Sequence, residues 1–115
     1  MKDNDKISCI DFKSKRTDKI KARKLVAEIV NRHSHNISFS KHALDELKKD
    51  ALATVDAWSV LKSTSSKILR EGELEKESYR YRLETNFIML VVAFWPDGKG
   101  LTIVTAWDKR KKGKN

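Results

Sequence analysis

Cysteine, proline and glycine are scarce in this 115-residue chain, which has one, one and four of them. A single cysteine, Cys9, can close no internal disulfide, and a tetrahedral zinc site built on it would need three other ligands. The pair His33 and His35 has no carboxylate or thiol at ligand spacing, so no metal site can be read. No glycine-rich phosphate loop, nucleophile elbow or paired-carboxylate site is present, so no signal points to the common nucleotide-using and hydrolase classes. The longest uninterrupted apolar run, Phe87 to Trp95, is nine residues. A membrane span needs about 20. The opening Met-Lys-Asp-Asn-Asp has no apolar signal core, so the expected setting is the cytoplasm, with no membrane partner and no small-molecule cofactor.

Positive charge is abundant and unevenly placed. The formal net charge is +9. Residues 1–24 carry nine Lys/Arg against four Asp/Glu, residues 108–115 carry five against one, and the stretch between is balanced. Clustered cations attract polyanions and release their counterions on contact, so nucleic acid is the first partner to consider. Solvated tails are the alternative. One domain is expected over 18–109, preceded by a polar basic leader (1–17) and followed by a basic tail (110–115).

Asp18 is placed to cap a first helix to about residue 31, with Ile20, Leu25, Val26, Ile29 and Val30 on one face and basic residues on the other. Residues 36–40 form a short extended lead-in, and Ser40 caps a second helix over about 41–52. Thr54 offers a cap for a third, with Val55, Trp58 and Leu61 inward. From Lys67 the period changes to two. Strands are expected at 67–70, 78–84, 86–95 and 101–107, with an acidic connector over 71–75 and a hairpin turn at 96–100. The 86–95 strand is apolar on both faces, which predicts cover on both sides. Trp58 and Trp95 read as core. The fold class is α+β: two to three N-terminal helices on one face of a small antiparallel meander.

Alternation in Tyr79-Arg80-Tyr81-Arg82-Leu83 places Arg80 and Arg82 on one face, about 7 Å apart, a spacing suited to successive phosphates. Pairing with Glu73, Glu75, Glu77 or Glu84 is the competing use. His42, at the start of the second helix, is positioned to take a proton from a 2′-hydroxyl as a general base, or else to pack under a strand edge. Trp107, followed by Asp108, Lys109 and Arg110, could stack a base beside cations. Alternatively it is the last core residue, on the face of Leu101 and Ile103.

Three segments together, Phe39-Ser40-Lys41-His42-Ala43-Leu44, Tyr79-Arg80-Tyr81-Arg82-Leu83 and the final strand pair ending in Lys109, resemble the RelE-like superfamily of toxin ribonucleases. The resemblance covers about Ser38 to Lys109 and is closest to the MqsR-type messenger-RNA interferases and a related uncharacterised domain family. It implies a metal-independent endoribonuclease that cuts RNA by 2′-hydroxyl attack and is silenced by a partner antitoxin. Carried over by position, Arg80, Arg82 and Lys109 would stabilise the scissile phosphate, and His42 or Tyr81 would handle the proton. Lys41, Trp107, Arg110, Lys111 and Lys112 would bind RNA. Where the MqsR-type enzymes have a tyrosine early in the next strand, this chain has Phe87, Ile88 and Met89, and the basic leader has no counterpart. A non-catalytic nucleic-acid-binding or regulatory module using the same cations is the alternative.

Overall fold

The computed structural model describes residues 17–75 and 78–111. The basic leader, apart from Thr17, and the tail from Lys112 lie outside them. Three helices, α1 (Lys19–Arg32), α2 (Lys41–Lys49) and α3 (Thr54–Lys62), are followed by most of a six-stranded sheet. Its strands are β1 (Ile37–Phe39), β2 (Lys67–Ile68), β3 (Glu73–Glu75), β4 (Ser78–Glu84), β5 (Ile88–Phe94) and β6 (Leu101–Asp108), in the order β1-β6-β5-β4-β2. β3 continues the β2 edge along the other half of β4. The architecture is α+β, as expected, but the sheet is mixed and not purely antiparallel. β1, the extended lead-in of the sequence reading, pairs parallel to β6, with Ile37 opposite Leu101 and Phe39 opposite Ile103.

Local chemistry accounts for the helix starts. The Asp18 carboxylate accepts from the Lys21 N–H (2.8 Å), and the Ser40 hydroxyl accepts from the Ala43 N–H (3.0 Å), each satisfying a donor that the first turn leaves free. The third helix differs from expectation. Thr54 is its first residue and not its cap; the cap position is Ala53, whose N–H donates to the Asp56 carboxylate at 2.8 Å. That start turns the buried stripe onto Ala57, Val60 and Leu61, leaves Val55 69% exposed, and half-buries Trp58 beneath the Lys62 ammonium. In α1 the buried residues are Ala22, Val26 and Ile29, while Ile20 is exposed.

All three helices bury their apolar stripes in one cluster with Tyr81, Leu83, Leu90, Val92, Phe94, Leu101, Ile103 and Ala106. Those eight side chains occupy one face of the sheet. Met89 and Val91 are each only 9% exposed but stand outside that cluster, on the opposite face. Among the described residues no helix lies on that face, yet β5 is central in the sheet and buried along both its faces, as its apolar run predicts.

One irregularity decides what that open face displays. Val91 lies opposite Thr105 while Val92 lies opposite Ile103, so Val104 is an extra residue in β6, a β-bulge. Leu101 and Ile103 therefore point to the helices, and beyond the bulge Ala106 and Asp108 do so. Thr105 and Trp107 are turned to the open face. The bulge carbonyl is not orphaned: the Ser40 hydroxyl donates to Val104 O at 2.8 Å while its lone pair caps α2.

Candidate functional site

Register places named residues in rows across the open face, because directly opposed residues on neighbouring strands share a face. One row reads Lys67, Glu84, Met89, Trp107. The next reads Arg82, Val91, Thr105, and a third Arg80, Ala93, Thr102, Ser38. Arg80 and Arg82 thus stand on one face of β4, as the alternation predicts. Trp107 joins them there, which corrects its placement beside Leu101 and Ile103: the Val104 bulge shifts the alternation by one residue.

Two adjoining clefts open at the Glu84 end of this face. One, of about 300 Å³, is lined by Ser65, Lys67, Leu69, Glu84, Thr85, Asn86 and Lys109. The other, of about 180 Å³, is lined by Leu69, Arg70, Arg82, Glu84 and Met89. Glu84 and Leu69 belong to both. Four cations, Lys67, Arg70, Arg82 and Lys109, therefore line the clefts that share one carboxylate, and of these Lys109 is paired with it. Lys109 Nζ donates to Glu84 Oε1 and to the Thr85 carbonyl (3.0 Å), and its own N–H is fixed to Phe87 O at 2.7 Å. Glu84 Oε2 has no partner among the described residues, nor do the Arg82 and Arg70 guanidinium groups. The turn that carries Thr85 is rigid, since its hydroxyl accepts from the N–H groups of both Phe87 and Ile88 at 3.2 Å. Among the described residues, no group of three His, Cys, Asp or Glu side chains is placed to hold a metal ion. No family model, curated protein or solved structure matches this chain.

The remaining sequence candidates separate from this centre. Tyr81 is 1% exposed, on the helix-facing side of β4, and its hydroxyl accepts from the Thr17 N–H (2.7 Å) and donates to the Thr17 carbonyl (3.0 Å). The resemblance gives it a proton-handling role, but its position is structural. His42 is exposed on α2, beyond β6, and two strand spacings, about 10 Å, already separate β4 from β6. Lys41 is exposed beside Asp45 at 3.8 Å. Arg80 is half-buried and donates to the Ser78 hydroxyl at 3.1 Å. Its cross-strand neighbour Glu73 makes no ion pair with it among the described residues.

Arg110 is held by Asp108: Nε donates to Oδ1 at 3.0 Å and Nη2 to Oδ2 at 2.9 Å, a two-pronged contact, and the guanidinium lies 4.8 Å from the Phe87 ring centre. These bonds hold the Asp108 carboxyl below the usual carboxylate range and raise Arg110 above its ordinary value. Arg110 is thus an anchor for the exit of β6, and Lys111 an exposed residue after it. Lys112 lies outside the described residues. Glu84, Lys67 and Arg70 were missed as site residues in the sequence. The available signal was that Glu84 shares the strand alternation of Arg80 and Arg82; Lys67 becomes its neighbour only through the β2–β4 pairing.

Proposed function

We propose that this protein is a metal-independent endoribonuclease of toxin type, with its reaction centre at Glu84. The observation that carries the proposal is the single carboxylate shared by two clefts that Lys67, Arg70, Arg82 and Lys109 also line. Cleavage by internal attack needs a base for the 2′-hydroxyl, positive charge for the phosphorane and a proton for the departing oxygen. Glu84 Oε2 takes the 2′-hydroxyl proton as the 2′-oxygen bonds to phosphorus. Arg82 and Arg70 hold the equatorial oxygens. The bond from phosphorus to the 5′-oxygen breaks, and Lys109 Nζ supplies that oxygen with its proton. The products are a 2′,3′-cyclic phosphate and a 5′-hydroxyl. The RelE-like resemblance supports this reading through Arg82 and Lys109, with Glu84 in the role first given to His42 or Tyr81.

Incubation of the protein with a long labelled RNA in EDTA tests it. Cleavage with cyclic-phosphate ends is expected, falling about 100-fold or more in Glu84→Gln and Arg82→Ala, and unchanged in His42→Ala. Full activity in Glu84→Gln rejects the assignment. The Lys109–Glu84 contact favours a second reading, a non-catalytic RNA-binding module in which the carboxylate merely positions the lysine. Intact RNA that is retarded on a native gel selects that reading.

A further inference from the structure

The open face extends well beyond the two clefts, and its far end carries an aromatic residue that belongs to no core. Trp95 follows β5 with its N–H bonded to Gly100 O (2.9 Å), so it continues the strand's alternation onto the face of Ala93. Its indole Nε1 donates to the Thr102 hydroxyl at 3.1 Å, and Thr102 is in turn 3.0 Å from the Ser38 hydroxyl on β1. Gly100 is the floor beneath the ring, since a Cβ there would lie 2.5 Å from it. Trp95 is thus a half-buried indole fixed at its polar edge and supported from below. At the other end Trp107 stands in the row of Glu84 and Met89. Arg80 and Arg82 lie in the rows between the two indoles, on β4, next to the strand that Trp95 extends and two strands from that of Trp107.

We infer that this face is a track for a single RNA strand. Arg82 and Arg80 take successive phosphates, and Trp107 and Trp95 stack bases at its two ends. The inference rests on the reading that the cationic clefts bind RNA, but not on cleavage. Three features support it. The two arginines are about 7 Å apart along β4, close to the spacing of phosphates in an extended strand. The four residues between Thr102 and Trp107, less the bulge, set the near edge of the Trp95 indole about 13 Å from Trp107 along β6, room for two or three nucleotides. And the cations outnumber the acids on the face: Lys67, Arg70, Arg80, Arg82 and Lys109 stand against Glu73, Glu75 and Glu84. Fixed indoles beside a cationic strand bind unpaired bases because every base has a stackable face, whereas a duplex keeps its bases inside.

The test uses 2′-O-methyl RNA oligonucleotides, which offer the same phosphates and bases but cannot be cleaved by 2′-attack, so its outcome is separate from that of the ribonuclease assay. In the full-length Trp58→Phe protein, only the two open-face indoles report by fluorescence. Oligonucleotides of two to eight nucleotides should quench them, with affinity rising to about four nucleotides and then levelling. Trp95→Ala should weaken binding about fivefold or more, as loss of one stacked base does. Arg80→Ala, a substitution outside the helix-facing core, should weaken it independently of any effect of Trp95→Ala on folding. Equal affinity for a duplex of the same length, no quenching at low salt, or affinity unchanged in both Trp95→Phe and Arg80→Ala overturns the track. A chain that binds but does not cleave leaves the track standing and removes the ribonuclease.

Discussion

Tyr81 shows how one residue's surroundings decide among its possible uses. A phenol can move a proton, but here it closes a two-bond bracket with the Thr17 backbone from inside the core. Tyr81→Phe should therefore cost about 1 kcal/mol of stability, by stranding the Thr17 groups, and leave the proposed RNA cleavage unchanged. Urea unfolding with a parallel cleavage assay checks both; lost cleavage at full stability would return the tyrosine to the reaction. Asp108 makes a second prediction at this scale. Its carboxyl is held low in the folded protein by hydrogen bonds and charge from Arg110. A depressed folded value means the stabilisation is fully present above the unfolded value of about 4. It fades as pH falls through the folded value. Urea midpoints measured from pH 6 down to pH 2 should show this acid-side loss in the native protein, and Asp108→Asn should remove that component of the curve.

The elements record what their residues could announce and what only pairing could supply. Asp18 and Ser40 announced two helices by their capping chemistry, and the alternation of Tyr79 to Leu83 announced β4 with both its faces. Those signals are local, so they were legible. The start of α3 misled because Thr54 is the better capping residue by type, while the Asp56 carboxylate selects Ala53. Alanine at 57 carries too little hydrophobic signal to reveal the shifted stripe. The Val104 bulge is not local at all: it exists only as a mismatch between β5 and β6, and with it goes the face of Trp107. The carboxylate centre was hidden for the same reason, since Lys67 meets Glu84 only across a strand pair. Deletion of Val104 tests the bulge. It should leave Thr105 and Trp107 opposite Val91 and Met89, now in unbroken pairing, and cost about 1 kcal/mol through the lost Ser40 contact. An unchanged thermal midpoint would show that the Ser40–Val104 contact contributes nothing to stability.

On the scale of the whole molecule, charge is the property that acts at a distance. If Lys67, Arg70, Arg80 and Arg82 each meet a phosphate of a single strand, the logarithm of the association constant should fall with the logarithm of salt concentration at a slope of about −3. Titrations between low and moderate salt measure it, and a slope near zero would assign the cations to some other partner. The parallel pairing of β1 with β6 reaches across the molecule in a different sense. Ser38 and Thr102 meet over a separation of 64 residues, and α2 is tied to the same strand through Ser40. An early strand and an early helix therefore wait for the last strand before they have anything to rest on. Such pairings must close loops of about 60 residues before they return any stabilisation, so refolding is expected to be slower than in a helical bundle of this size, which stopped-flow fluorescence would measure.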